Sequence, residues 1–240
     1  LTQVGTGNYN EKTAAQYTDL SYITADPGIG ADANEFFKNL AIGNLEGDYR
    51  RLLVAPNAMK SRILALIDRE IAKGEKGFIF LKLNSVTDLD LIRRLRDASR
   101  AGVRVEMIVR GICCILPQIE GETANIRVTS IVGRYLEHSR VYLFGIGEEE
   151  LMYISSADFM TRNMDRRVEV ACPIRSSEAR NKIRRLIEVQ LLDNTKARRM
   201  GPDGAYRAVT SGTAPISAQD VLTRDALDAA PRAEPRTPSL

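Results

Sequence analysis

The feature that most constrains the fold is a strand–helix–strand pattern in the middle of the chain. Gly77 to Leu83 is a short apolar run typical of a buried strand, and Val103 to Val109 is another. Between them a helix is predicted to begin at a capping box of Thr87 and Asp90. Its buried face carries Leu91, Ile92, Leu95 and Ala98. Two strands joined through a helix in 33 residues are the βαβ unit of a parallel sheet, so an α/β fold is predicted.

Further elements are predicted on both sides of this unit. Helical spacing of apolar residues indicates a helix over 57–73, which Gly74 ends, and a short helix within 32–46. The pattern then predicts strands over 126–132, 139–144, 151–156 and 168–174, and an amphipathic helix over 176–192. Five of the nine prolines lie in 201–240. That composition predicts disorder from about residue 224.

A short repeat occurs at a fixed offset of 150 residues. The segment Thr6–Thr13 resembles Ser156–Asn163: each has two small residues, then an amide or acid, then an aromatic residue. The same offset aligns Asp19 with Glu169, an acid at the head of an apolar segment in both copies. These matches predict two related strand–turn–strand units, although two unrelated turns remain an alternative at this point.

The residues before the second copy give the repeat a chemical meaning. His138-Ser139-Arg140 opens a strand that leads towards Asp158. An imidazole can attack phosphorus or donate a proton, a cation can stabilise phosphoryl oxygens, and the acid can fix their geometry. This order resembles one half-site of the phospholipase D-like superfamily, in which two halves face each other across a pseudo-two-fold axis. The resemblance implies that the histidine of the first half lies upstream of Leu1.

Several blocks together resemble one family within that superfamily. They are Gly5–Thr13, Tyr17–Asp19, Ile108–Cys114, Ser130–Arg140, Tyr153–Asp158 and Asn163–Val170. In this order they are similar to the type 1 polyphosphate kinase family, and the resemblance covers residues 4 to about 222. It implies the carboxy-terminal third of a longer transferase. That enzyme would move the terminal phosphate of ATP reversibly to inorganic polyphosphate through a phosphohistidine, and would therefore be a phosphoprotein.

The resemblance also implies the architecture. We expect an α/β fold with a phospholipase D-like mixed sheet flanked by helices and the remnant of a preceding sister domain. The expected parts are 1–50, the truncated end of the first domain; 51–200, the second domain; and 201–240, a carboxy-terminal extension.

By resemblance, Tyr17, Arg110 and His138 fall on positions that contact ATP. The nucleophilic histidine of the family is upstream, so His138 is assigned charge stabilisation or proton donation. Arg110 follows a buried strand and offers a fork of donors to phosphate, while Tyr17 is expected to be a more distal contact. The candidate phosphate contacts around the half-site are Arg134, Arg140, Arg162, Arg166 and Arg167.

Composition limits the partners. With one histidine and no zinc-ligand spacing, no metal site is predicted in this chain, and Mg²⁺ accompanying ATP or ADP is expected to have its ligands elsewhere. No apolar run reaches the length of a membrane span. The net charge of +3 is too small to indicate nucleic acid. We expect ATP and polyphosphate as partners, a homo-oligomeric full-length protein, and a cytoplasmic location, with peripheral membrane attachment left open.

Two alternatives remain open on the sequence. The first is a phospholipase D-like phosphodiesterase acting on lipid or nucleic acid. Arg140 argues against it, because that superfamily usually has a lysine at this position. The second is a non-catalytic module that binds nucleotide or polyphosphate. On the kinase interpretation, a chain with a single histidine is expected to be inactive by itself.

Overall fold

The computed structural model describes residues 1–210 and 214–229. The strands are β1 (Thr2–Gly5), β2 (Tyr17–Thr18), β3 (Ser21–Thr24), β4 (Leu53–Ala55), β5 (Phe78–Leu83), β6 (Arg104–Val109), β7 (Ile126–Ile131), β8 (Leu136–Glu137), β9 (Arg140–Phe144), β10 (Leu151–Ser155), β11 (Glu169–Pro173), β12 (Ala197–Met200) and β13 (Tyr206–Ala208). The helices are α1 (Glu11–Ala14), α2 (Pro27–Ala41), α3 (Met59–Ile71), α4 (Leu89–Arg100), α5 (Thr161–Asp165), α6 (Ser177–Leu191) and α7 (Ala218–Ala229). Within the described residues, nine strands form one mixed sheet in the order β13-β12-β7-β6-β5-β9-β10-β11-β4.

The predicted βαβ unit is confirmed at the centre of this sheet. Strand β6 pairs in parallel with β5 on one side and with β7 on the other. The crossover helix α4 begins at Asp88, whose carboxylate accepts hydrogen bonds from the backbone N–H groups of Asp90 and Leu91. The predicted Thr87–Asp90 capping box is therefore wrong: the adjacent aspartate caps the helix because its short carboxylate reaches the same donors.

Hydrophobic clusters cover both faces of the sheet. On one face Leu81 of β5 belongs to a cluster with α3 and α4, while on the other Phe80 belongs to a cluster with α2 and α6. Successive residues of a strand point to opposite faces, so one strand feeds both cores. The α/β class, with a mixed sheet flanked by helices, is confirmed.

The register of hydrogen bonding confirms the 150-residue repeat. Strands β1 and β3 pair antiparallel with Val4 opposite Tyr22, and β10 and β11 pair antiparallel with Ile154 opposite Cys172. Ile154 and Cys172 lie 150 residues after Val4 and Tyr22, respectively, so the offset is the same on both strands. Chance similarity of two turns does not account for a shared register, so the two units are structural copies, and β1–β3 form the expected remnant.

The polar contacts that close each copy also correspond. The backbone N–H of Thr6 donates to the Leu20 carbonyl at 2.9 Å, and that of Ser156 donates to the Val170 carbonyl at 3.1 Å. In return, the Thr6 hydroxyl accepts from the backbone N–H of Leu20, and the Ser156 hydroxyl accepts from that of Val170. Each strand–turn–strand unit is thus held by the same reciprocal pair.

Helix α2 differs from its prediction. It begins at Pro27 rather than within 32–46, because Asp26 caps it by accepting from the backbone N–H groups of Gly28 and Ile29. Proline suits the first helical position, where its missing N–H has no helical partner. Two glycines in the first turn concealed this start, since glycine disfavours a helix interior.

The carboxy-terminal region also corrects a prediction. Strand β13 extends the main sheet beside β12, and α7 packs on α6 with Arg185 and Asp225 in an ion pair at 3.1 Å. The prediction of disorder from about residue 224 is therefore wrong for 224–229, which are helical. The packing of α7 on α6 stabilises these residues, although their composition is typical of disorder. The remainder of that prediction, 230–240, lies outside the described residues. The boundaries near 50 and 200 stay predictions.

Candidate functional site

Polar side chains converge at one edge of the sheet. Asn84 and Arg110 follow the carboxyl ends of the parallel strands β5 and β6. Strand β9 runs antiparallel to β5, with Val141 opposite Lys82, so His138 at its start lies at the same edge. The carboxyl ends of strands in open α/β sheets are the usual location of ligand sites.

His138 is held by a carboxylate from the first copy of the repeat. Its Nδ1 lies 2.9 and 3.1 Å from the two carboxylate oxygens of Asp19. Burial opposes ionisation of Asp19, but hydrogen bonds from His138 and Thr6 outweigh it and lower the pKa of this carboxyl. The site is thus built across the two copies: one supplies the imidazole, and the other supplies the anion that orients it.

Arg140 also lies against the imidazole. Its Nη1 lies 3.3 Å from His138 Nδ1 and 3.1 Å from His138 Nε2, and it donates to the Thr6 carbonyl at 3.1 Å. Its Nε and Nη2 donate to the two oxygens of Asp158 at 3.3 and 3.1 Å. This buried guanidinium is largely occupied by protein groups, so Arg140 supports the imidazole electrostatically, and its assignment as a phosphate contact stays a prediction.

Arg110 has the opposite character. Its Nε donates to Asn84 Oδ1 at 2.6 Å and to the backbone carbonyl of Glu137 at 2.7 Å, which fixes the guanidinium. Neither terminal nitrogen has a partner among the residues that the structure describes. Burial lowers the pKa of Arg110, although nearby carboxylates such as Asp158 oppose the shift. The side chain therefore presents two free terminal NH₂ groups to whatever binds beside it.

A cavity of about 580 Å³ lies in front of Arg110. Tyr17 and Arg134 line the same cavity. The Tyr17 ring also lies 4.9 Å from the His138 ring, centroid to centroid. Tyr17 is thus adjacent to the imidazole, closer than its predicted distal position, because β2 pairs directly with β8.

A buried polar network around Glu137 of β8 was not predicted from the sequence. The Glu137 carboxylate accepts hydrogen bonds from Thr18, Gln190 and Gln219 at 3.1, 2.7 and 2.9 Å. It also forms an ion pair with Lys82 at 3.2 Å. Four elements therefore meet on one carboxylate next to His138.

The charges in this network are coupled. Burial would raise the pKa of Glu137, but the charge of Lys82 and the hydrogen bonds outweigh it and lower that pKa. Burial lowers the pKa of Lys82, and the negative charge of Glu137 opposes that shift. Glu137 is therefore ionised, and each partner needs the other because a lone buried charge is costly. A lysine within the apolar run 78–83 was the available sequence signal.

The second copy of the repeat contains the counterpart of Asp19. Glu169 is buried and accepts hydrogen bonds from Ser156 Oγ and from Asn163 Nδ2. Under the 150-residue offset, Ser156 and Glu169 correspond to Thr6 and Asp19. Unlike Asp19, Glu169 contacts no imidazole among residues 1–210 and 214–229, since the chain's single histidine lies on Asp19.

The remaining arginines are exposed. Arg162 lies within α5, and Arg166 and Arg167 follow it in the chain before Glu169. Arg134 stacks over the Tyr135 ring at 5.3 Å from its centroid. Their assignment as phosphate contacts stays a prediction. No helix among the described residues is long and apolar enough to cross a bilayer.

Comparison with known proteins places this geometry in a family. Models described as polyphosphate kinase C-terminal domain 1 and domain 2 match residues 1–45 and 52–219. The chain is 46% identical to the polyphosphate kinase of Exiguobacterium sibiricum over 222 residues, 91% of this chain and 31% of that protein. It is likewise 46% identical to that of Bacillus anthracis over 220 residues, with 90% and 31% covered.

A solved structure is also similar. The crystal structure of the polyphosphate kinase from Porphyromonas gingivalis superposes with a TM-score of 0.88 at 39% identity. The match covers 94% of this chain and 35% of that one. The present chain thus spans about a third of the length of the curated relatives that it matches.

Proposed function

The chain belongs to the polyphosphate kinase family, and from that premise we propose that it supplies one half of an active site for reversible phosphoryl transfer between ATP and inorganic polyphosphate. The observation that carries the proposal is the contact of His138 with Asp19 across two copies of one repeat. A site with this pseudo-symmetry has two histidine positions, and this chain fills one of them.

Glu169 marks the second position. It corresponds to Asp19 under the repeat offset, and Ser156 and Asn163 orient its carboxylate. We assign to it a histidine from the longer parent protein, outside this chain, which serves as the nucleophile. A carboxylate that accepts from one imidazole nitrogen leaves the other nitrogen free to attack.

The proposed transfer proceeds in two balanced steps. The nucleophilic nitrogen forms a bond to the γ-phosphorus of ATP while the bond from that phosphorus to the bridging oxygen breaks, releasing ADP. A terminal oxygen of polyphosphate then attacks the phosphohistidine, and the imidazole leaves. His138, held between Asp19 and Arg140, stabilises charge or donates a proton to the leaving oxygen.

ATP is assigned to the cavity in front of Arg110. The two free terminal nitrogens of Arg110 suit bidentate contact with phosphate, and Arg134 adds a second cation to the wall of the cavity. The aromatic ring of Tyr17 provides a surface beside the imidazole.

Magnesium is expected to accompany the nucleotide, but no step is assigned to it here. Among the described residues, no group of three or more histidine, cysteine, aspartate or glutamate side chains is arranged to hold a metal ion. Within this chain, the cation assigned to the transferring phosphate is Arg110, whose terminal nitrogens face the cavity region without a partner in the described part of the chain.

The parent is further proposed to be a cytoplasmic homo-oligomer whose partners are ATP and polyphosphate. The phosphodiesterase alternative is less favoured, because both family models and the curated relatives that match this chain are polyphosphate kinases. A purely binding module would not need the imidazole held between an acid and a cation.

Labelling tests the proposal directly. Incubating the full-length parent with γ-labelled ATP should give acid-labile phosphohistidine at a position outside this chain, together with labelled polymer. The present chain incubated alone should remain unlabelled, because its one imidazole lies in the supporting position. Label on His138 would contradict this division of roles.

Binding of polyphosphate should depend steeply on salt. The polymer carries at least one negative charge per phosphate, so arginines that bind it release condensed counterions, as proteins do on nucleic acids. We expect the logarithm of the affinity of the parent to fall linearly with the logarithm of salt concentration in filter binding. A neutral osmolyte should have no such effect, and an affinity insensitive to salt would exclude arginine-dominated binding.

A further inference from the structure

A second cavity lies at the opposite end of the strands that carry the site. It has a volume of about 450 Å³ and is bordered by the start of β10 and the end of β11. Five arginines line it: Arg50, Arg51, Arg62, Arg175 and Arg180. They come from the segment before β4, from α3, from the segment after β11 and from α6.

Two acids, Glu148 and Glu150, also line the cavity, but three of its five arginines have no ionic partner among the described residues. Arg50, Arg51 and Arg62 form no ion pair and no side-chain hydrogen bond with any residue in 1–210 or 214–229. Arg175 has one contact, with Asp26 at 3.4 Å. Free guanidinium groups repel one another, so gathering them around one cavity favours an anion inside it.

One wall of the cavity is rigid. The carboxylate of Glu150 is buried and binds Arg180 at 2.8 Å and Arg184 at 2.9 Å, which fixes both side chains. The side chain of Arg180 is therefore held in place, while the unpaired positive charge of the cavity comes from its other walls.

The cavity is separate from the reacting groups. Leu151, at the start of β10, lines it, whereas Ser155, at the other end of that strand, leads to Asp158 in the site. Four residue steps along an extended strand span roughly 13 Å. A ligand as short as a single phosphate cannot reach both places, so joint occupancy requires an extended polymer.

We propose that this arginine cavity is a second phosphate-binding site that anchors inorganic polyphosphate at a distance from the point of transfer. This rests on the proposed function of the parent. Guanidinium forks bind phosphate oxygens bidentately, and several of them suit a chain of repeated phosphates. Tyr153, the aromatic residue in the lining, is buried, so the cavity offers little surface for a nucleotide base.

An anchor of this kind affects long polymers selectively. A chain that contacts both sites rebinds at high effective concentration after release from one of them. Short polyphosphate and ATP occupy only the transfer site and gain nothing from the cavity. The anchor would therefore keep a growing polymer on the enzyme between transfers.

The test uses the full-length parent with Arg50→Gln and Arg62→Gln combined. Its matched control combines Arg93→Gln and Arg100→Gln, two exposed arginines of α4 outside the cavity. We expect the KM for long-chain polyphosphate to rise about tenfold in the cavity variant, in line with lost phosphate contacts. The KM for tripolyphosphate and for ATP should stay within twofold, and the polymer made should be shorter.

Each other result would overturn the proposal. An equal rise of the KM for long-chain polyphosphate in the control would mean that only the net charge of the protein matters. A rise in the KM for ATP would make the cavity a nucleotide site. A lower melting temperature with unchanged KM would mean that the arginines bind another part of the parent. Inactivity of the unmodified parent would instead refute the proposed function, so the two failures are distinguishable.

Discussion

Replacing His138 with alanine in the full-length parent is expected to lower kcat by a factor on the order of 10²–10⁴, the range for loss of a positioned acid–base group. The imidazole is held between Asp19 and Arg140, so its removal leaves an anion and a cation facing an empty space. The nucleotide would still find Arg110 and Tyr17, and the KM for ATP should change far less than kcat. Steady-state kinetics in the direction of polymer synthesis measures both.

Asp19→Asn is the matched control for this prediction. The amide keeps the size of the side chain and a contact with the imidazole, but it loses the negative charge that orients and stabilises an imidazolium. We expect a smaller loss of kcat than for His138→Ala. A His138→Ala variant that retains kcat within tenfold of the unmodified parent would exclude His138 from the transfer step.

Glu137→Gln is expected to destabilise the parent by about 3–5 kcal/mol, because it leaves Lys82 as an uncompensated buried charge. Both side chains are almost fully buried, at 4% and 1% exposure. The pKa of Glu137 is lowered, so its contribution is present above the ordinary glutamate value of 4.5 and is lost as the pH falls through the lowered pKa. Calorimetry of the parent as a function of pH would show both effects.

A surface ion pair on the neighbouring strand provides the control. Glu106 binds Arg127 at 3.0 Å, and the arginine side chain is 53% exposed, so Glu106→Gln should cost less than about 1 kcal/mol. Adding Lys82→Met to Glu137→Gln should recover part of the lost stability, since the isolated charge is then gone. A melting temperature for Glu137→Gln equal to that of Glu106→Gln would contradict the network.

The sequence predicted those parts of the molecule that depend on local pattern. Apolar periodicity was sufficient for the βαβ unit and the closing helix α6, and the 150-residue offset predicted paired units whose registers correspond. The convergence of Arg110 and His138 followed from their positions at strand ends. These features depend on spacing along the chain, which a sequence displays directly.

The parts that were missed depend on contacts between distant residues. Gln219 reaches Glu137 over 82 positions, and nothing in the composition around it indicated a helix docked beside the site. The ion pair of Arg140 with Asp158 was likewise not predicted, because a sequence does not show which acid faces which guanidinium. Lys82 was detectable in principle, because a charged residue within a buried strand requires a counterion.

The docking of α7 on Glu137 has a consequence for how the protein is made. Gln219 holds the strand that carries the nucleotide cavity, yet it emerges from the ribosome long after Tyr17, about 200 residues later, which takes roughly 10–40 s at common rates of synthesis. During that interval the strands of the main sheet emerge one after another, up to β13, and the contact of α7 behind β8 can form only after all of them. Completion of the nucleotide cavity therefore waits for Gln219, so a ribosome that stalls before residue 219 leaves a chain without a finished site.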